Sequence, residues 1–228
     1  MSASTDNRGR APAPTWRPAG ALYLALLLAA TAAGMWPDAV YPSRQDIRSA
    51  PLPTLRAVGL GQVAFVLLVY PAVLLGRAGD ARRRRLWPAV LIEPAVLMLA
   101  TVPFYVVAAW LADAVPQDAV RLALYVAGLW AFSAALAAAA CRFPPARAAA
   151  FLLLGVLALG LPAAWYVAVE FLAAPASVEW LWQLGPATAA WDAAAARDVS
   201  WLPRPLWAAL VWPGAAAALI CAQLLRRR

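Results

Sequence analysis

Long apolar runs alternate along the chain with short polar segments that are rich in arginine and proline. An α-helix needs about 20 mostly apolar residues to cross the hydrocarbon core of a bilayer. Runs of that kind occupy residues 19–36, 57–76, 88–112, 122–140, 148–172 and 206–225. The pattern predicts an all-α membrane protein with six transmembrane helices.

Arginine indicates which end of each run faces the cytoplasm, because basic residues near span ends stay on that side. Thirteen of the 19 arginines lie in four segments: before the first run, after the second, after the fourth and after the last. We therefore predict that both termini are cytoplasmic. The predicted organisation is a tail over residues 1–18, one transmembrane domain over 19–225, and a tail over 226–228.

Three segments fall outside by this rule: an external loop from Pro37 to Leu55 and two segments that differ in character. The link from Asp113 to Arg121 is short and net acidic, and we expect it to be an external loop. The segment from Ala173 to Pro205 is long and contains several tryptophans around Gly185 and Pro186. Tryptophan favours the membrane interface. We predict short interfacial or re-entrant helices in this second segment.

Composition agrees with the spans, since 64% of the residues are hydrophobic and only 13% are charged. Ordinary soluble domains are about half apolar and a quarter charged. The surplus apolar surface must face lipid or other subunits. After six spans, too little of the chain remains for a separate soluble domain.

The basic residues narrow the possible chemistry, because all of them are arginine and the chain contains no histidine. A lysine of a phosphate-binding loop, a Schiff base, and histidine ligands for haem or zinc are therefore excluded. No catalytic motif occurs, and we predict no enzyme activity, cofactor, metal ion or nucleic-acid partner. The two cysteines, Cys141 and Cys221, are interpreted as small apolar side chains.

Polar residues inside the predicted spans are the candidates for function. Gln62 needs a hydrogen-bond partner within the bundle, and structural cross-linking is its default interpretation. Glu93 and Glu170 either face a partner or a substrate path, or extend their carboxylates toward the headgroups. Small residues, such as Gly155 with Gly160, permit close helix packing.

Three stretches resemble the ABC-2-type permeases, which are transmembrane subunits of ABC exporters. They are the run from Gly61 to Gly76 that leads into an arginine loop, the segment from Ala140 to Ala150, and the element from Leu184 to Ala190. The resemblance extends from about Leu22 to Arg228. It implies six spans with both termini inside, and short re-entrant helices around Gly185 and Pro186 before the last span.

The resemblance also implies partners. A separate cytoplasmic ATPase would dock on the loop after the second span, whose charged residues are Arg77, Asp80, Arg82, Arg83, Arg84 and Arg85. The family commonly has a Glu-Arg-Glu-x-Gly-Thr sequence at this loop, where the present chain has arginines. Topology or contact with anionic lipid explains the same arginines. The chain would pair with itself or a related permease, contact membrane lipid, and reside in the bacterial inner membrane.

Two other functions fit the same residues. One is a membrane anchor or assembly subunit of a larger complex that transports nothing. The other is an intramembrane enzyme that acts on lipids, and it lacks a recognisable acid-base or metal set in the sequence. Under the transport hypothesis the substrate is unidentified, and an apolar interior would suit a hydrophobic one.

Overall fold

The computed structural model describes residues 16–40, 53–76, 86–111, 114–143, 145–172, 179–194 and 206–225. Over these ranges the protein is helical and contains no β-strand. In chain order the helices are α1 (Trp16–Val40), α2 (Pro53–Ala64), α3 (Tyr70–Gly76), α4 (Leu86–Leu111), α5 (Pro116–Arg142), α6 (Ala146–Gly155), α7 (Leu161–Leu172), α8 (Glu179–Leu184), α9 (Pro186–Ala193) and α10 (Leu206–Leu225).

Two of the long helices are interrupted by one π-helical turn. Phe65–Val69 joins α2 to α3, and Val156–Gly160 joins α6 to α7. The backbone continues in helical geometry through each turn, so that α2–α3 and α6–α7 each form one membrane-length rod. A π-helical turn inserts one extra residue and shifts the faces that follow it.

Five helical segments are long and apolar enough to cross a membrane: Pro18–Met35, Thr54–Gly76, Ile92–Leu111, Pro116–Cys141 and Ala146–Glu170. They correspond to the first five predicted spans, and they fit a multi-pass membrane protein. The apolar part of α10 within the described residues, Leu210–Gln223, is shorter. A sixth crossing and the orientation of the termini stay predictions.

The interpretation of residues 113–121 as a loop was wrong for most of its length. Helix α5 begins at Pro116, which suits a first helical position because its missing N–H would have no partner there. Asp118 and Arg121 therefore lie within the first turns of the helix, and both are buried. They form an ion pair with each other, so neither charge is buried alone.

The centre of the bundle is formed by α2–α3 and α5. In each of these spans 61% of the residues are buried, against 22% for the spans in α1 and α4 and 17% for α6–α7. Helix α5 contacts α4, α10, α6, α3 and α9, while α1 packs mainly on α2. The remaining helices thus form a layer around one buried pair.

Close packing of helices depends on glycine at one contact between α1 and α2. A Cβ on Gly34 would lie 2.5 Å from the backbone Cα of Thr54, too close for any side chain. Gly155 has nothing within 4 Å of that position, and a Cβ on Gly160 would meet only Val156 of its own helix. Among the described residues, the glycine pair singled out in the sequence therefore does not mediate helix packing.

Candidate functional site

A polar network in the middle of the bundle centres on Gln62, which is fully buried on α2. Its amide Nε2 donates a hydrogen bond to the hydroxyl of Tyr23 on α1, at 3.1 Å. The hydroxyl of Tyr105 on α4 donates to its Oε1. Both tyrosines are also buried, at 0% and 6% exposure. One buried glutamine thus connects three helices. It has the hydrogen-bond partners within the bundle that its position in an apolar span led us to expect.

Aromatic rings surround this network. The ring of Trp130 on α5 lies 6.0 Å from that of Tyr23, 5.9 Å from that of Phe65 and 4.6 Å from that of Tyr70. Trp130 is 1% exposed, and among the described residues it is the largest side chain buried to this degree. The rings fill the space between α1, α2–α3 and α5, leaving the centre of the described bundle packed with side chains.

A second polar contact involves the π-helical turn between α2 and α3. The hydroxyl of Ser133 on α5 donates to the carbonyl of Val66, at 2.6 Å. A π-helical turn changes the hydrogen bonding of the backbone carbonyls around it. The serine gives one of these carbonyls a partner in the neighbouring helix, and thereby fixes α5 against the turn.

The predicted helical element after the fifth span is present as the pair α8–α9. Gly185 separates the two helices and Pro186 is the first residue of α9. A Cβ on Gly185 would lie 2.5 Å from the hydroxyl oxygen of Thr188, so a side chain there would displace that hydroxyl. The Thr188 hydroxyl is in turn 2.9 Å from the Gly185 carbonyl. The depth of this pair in a bilayer stays a prediction.

Aromatic and charged side chains attach the pair to the bundle. The guanidinium of Arg56, near the start of α2, lies over the ring of Trp191 with its carbon 4.2 Å from the ring centroid. Trp182 donates a hydrogen bond from its indole to Asp192, and its ring lies 4.3 Å from that of Trp165 on α7. The pair is therefore fixed to both α2 and α7.

Asp192 is the acidic group of this attachment. Partial burial of its carboxyl raises the pKa above the ordinary value of 3.8, against the opposing effects of the Trp182 hydrogen bond and the Arg56 charge. Relative to the unfolded chain, the folded state therefore favours the neutral acid. The contribution of the Asp192 carboxyl to stability falls as the pH rises through its raised pKa. The residue is exposed overall, which limits the effect through solvent screening.

The other candidate residues have different surroundings. Glu93 is half-buried on α4, one residue into the span that begins at Ile92, and Glu170 is exposed at the last position of its span. Neither belongs to the network around Gln62. The charged residues of the arginine loop, Arg77, Asp80, Arg82, Arg83, Arg84 and Arg85, lie outside the described residues.

Several contacts were not anticipated from the sequence. The Trp212 indole on α10 donates to the hydroxyl of Tyr125 at 3.0 Å, and the Gln223 amide donates to the carbonyl of Ala135 at 3.2 Å. The partners in each contact are more than 80 residues apart in sequence. The Asp118–Arg121 pair had a local signal, since residues three apart share one face of a helix.

These groups suit helix association better than bond-making chemistry. The described part of the chain contains no cluster of three metal-ligating side chains. An amide and two phenols provide hydrogen bonds, but neither a base nor a nucleophile at neutral pH. The arrangement can transmit a displacement of one helix to two others.

Comparisons with protein-family models, curated proteins and solved structures yield no match to the chain.

Proposed function

We infer that the chain is the transmembrane permease subunit of an ABC exporter in a bacterial inner membrane, with six spans and both termini in the cytoplasm. The observation that carries this proposal is the order of the elements. In chain order, the helix pair α8–α9 lies between the rod α6–α7, which is the fifth predicted span, and the last long helix, α10. ABC-2-type permeases have this order, by the resemblance described above.

The last helix fits a sixth crossing by length. Helix α10 has 20 residues, which at a rise of about 1.5 Å per residue covers the roughly 30 Å of hydrocarbon. Its contact with α5 includes the Trp212–Tyr125 hydrogen bond, and buried contacts of this kind suit a member of the bundle.

Coupling to a partner ATPase follows from the connections of the arginine loop. The loop lies between α3 and α4, and these helices are tied to the centre through the Val66–Ser133 and Tyr105–Gln62 hydrogen bonds. When the ATPase closes on ATP, it pushes on residues 77–87 and displaces α3 and α4 together. The substrate crosses between two permease subunits, and an apolar cargo suits the apolar surfaces.

A membrane anchor or assembly subunit is the second candidate. The aromatic packing around Trp130 favours it, because the interior of the described bundle is filled rather than open. A path between two subunits satisfies the same observation, since it needs no passage through one chain.

Purification with partners distinguishes the two functions. The tagged chain is extracted in mild detergent from its native cells, and the proteins that accompany it are identified and assayed for ATP hydrolysis. The permease proposal expects an ATPase subunit. If structural or redox proteins accompany the chain instead, it is an anchor.

A matched pair of variants tests the docking loop. Substitution of Arg82, Arg83, Arg84 and Arg85 by Gln removes four charges from the loop, while substitution of Arg226, Arg227 and Arg228 by Gln removes three from the predicted C-terminal tail. The first variant should lose the ATPase and the second should retain it. Cysteine labelling verifies that both keep the wild-type orientation. Equal retention by both variants contradicts docking at the loop.

A further inference from the structure

The π-helical turn of the α2–α3 rod leaves one backbone carbonyl without a donor from its own helix. The amide of Tyr70 donates to the carbonyl of Phe65, so it does not serve that of Val66. The next amide in reach of the Val66 carbonyl belongs to Pro71, and proline has no N–H. The hydroxyl of Ser133 on α5 supplies the missing donor, at 2.6 Å. A neighbouring helix therefore completes the hydrogen bonding of this turn.

Proline does not by itself produce such a turn. Pro94 and Pro103 in α4, and Pro213 in α10, lie within continuous α-helix. Pro162 in the α6–α7 rod instead lies just beyond a π-helical turn, as Pro71 does in the α2–α3 rod. The two turns contact each other. Each rod is therefore interrupted where it meets the other, and neither supports its neighbour with a continuous helix.

The two halves of the α2–α3 rod are held in the bundle by different contacts. Before the turn, α2 carries Gln62, which is hydrogen-bonded to α1 and α4. Beyond Tyr70, α3 has no polar side chain. Its last buried residue, Leu75, packs with Ala140 on α5 and Ala150 on α6 in a small cluster that is separate from the main core. A shift of α3 therefore slides small apolar contacts, whereas a shift of α2 breaks buried hydrogen bonds.

The length of α3 sets the size of the movement that a bend at the turn allows. The helix has 7 residues, and it is therefore about 10 Å long. A kink of about 20° at the turn displaces its far end, Gly76, by roughly 4 Å. Gly76 leads directly into the arginine loop. The start of the loop can thus move while the network around Gln62 stays intact.

We propose that the α2–α3 rod is hinged at Phe65–Val69. Helix α3 moves relative to α5 while α2 remains fixed, and the Ser133 hydroxyl determines how readily the turn opens. Sharp bends in helices occur at prolines and π-helical turns, and serine from a neighbouring helix commonly satisfies the backbone that proline interrupts in a membrane. The hinge is a property of this chain alone. It applies to an anchor subunit as well as to a permease.

Amide hydrogen exchange of the purified full-length chain in detergent, followed by mass spectrometry, measures opening of the turn. Ser133→Ala should speed exchange over residues 65–76 by about fivefold, the effect of one lost hydrogen bond, and leave residues 54–64 unchanged. Pro71→Ala restores an N–H that can donate to the Val66 carbonyl, and should slow exchange over residues 65–76. In the Pro71→Ala background, the effect of Ser133→Ala should fall below about twofold.

Pro103→Ala is the matched control, because this proline lies in a helix without a π-helical turn. In the Pro103→Ala background, Ser133→Ala should keep its full effect. An equal effect of Ser133→Ala with and without Pro71 would show that the serine does not compensate for the proline. Faster exchange over residues 54–64 as well as 65–76 would indicate general destabilisation. Either result overturns the proposal.

Distances between spin labels distinguish a hinge from fraying at the end of α3. The two native cysteines are first replaced by serine. One pair of labels joins Gly76, where a Cβ meets open space, to Leu124 on α5, which is 50% exposed. The reference pair joins Leu124 to Leu28 on α1, which is 61% exposed. The first distance should be broader than the reference by about 4 Å, and Pro71→Ala should narrow it. A distribution as narrow as the reference, or one that Pro71→Ala leaves unchanged, contradicts the hinge.

Discussion

The rods α2–α3 and α6–α7 are alike in sequence character but occupy opposite surroundings. Their mean hydropathies are 2.2 and 2.1, and each contains one π-helical turn. Yet 61% of the residues in the first span are buried, against 17% in the second. Hydropathy therefore predicts both rods as membrane helices, but it does not predict which of the two lies at the centre of the bundle.

Polar side chains account for the difference. The first rod carries Gln62, whose amide must find partners inside the membrane, and its Val66 carbonyl receives a hydrogen bond from Ser133. The second rod has no polar side chain between residues 148 and 164. It exposes large apolar residues such as Leu152 and Leu159, at 70% and 66%. Such a face is stable against lipid or a second subunit without any partner in this chain.

The largest expected effect compares one phenylalanine from each rod. Phe65→Ala removes a ring that is fully buried against Tyr23 and Trp130, and should lower the free energy of unfolding by about 3–5 kcal/mol. Phe151→Ala, on the second rod, removes a ring that is 40% exposed and should cost less than about 1 kcal/mol. Unfolding in mixed micelles, followed by circular dichroism, measures both. Similar losses would mean that the second rod is buried in the native assembly.

The next effect concerns the polar group that fixes the central rod. Gln62→Leu deprives the Tyr105 hydroxyl of its acceptor within the bundle, and should destabilise the chain by about 2 kcal/mol. The double variant Gln62→Leu with Tyr105→Phe removes donor and acceptor together and should recover at least half of that loss. The same unfolding assay applies to both variants.

Glu170→Gln is the control on the peripheral rod. Its carboxylate is exposed, and the change should stay within about 0.5 kcal/mol. If the double variant is no more stable than Gln62→Leu alone, the loss comes from packing rather than from the unpaired hydroxyl.

Gln62 shows how far the sequence could predict the site. The need of Gln62 for partners follows from its depth in an apolar run. The identity of those partners does not follow, because Tyr23 and Tyr105 are 39 and 43 residues away along the chain. Only the packing of three helices brings them together.

The fold was predictable where local properties decide it. Five of the predicted spans match helical segments of the structure, since hydropathy over about 20 residues is a local quantity. The start of α5 was misplaced at Leu122, because charges counted singly take no account of the Asp118–Arg121 pair. The predicted attachment of a partner at residues 77–85 lies outside the described residues.

The smallest expected effect compares Gly34, on α1 beside the central rod, with Gly155 on the peripheral rod. Gly34→Ala places a methyl group against the backbone of Thr54, so that α1 must move away from α2. Overpacking of this kind costs about 1–3 kcal/mol, offset in part by the better helix propensity of alanine, and we expect a net loss of about 1 kcal/mol. Gly155→Ala, on the peripheral rod, meets open space and should be neutral or stabilising by up to about 1 kcal/mol. Thermal unfolding in detergent measures the two changes. A loss at Gly155 would mean that a second subunit, or a part of this chain outside the described residues, packs against this face.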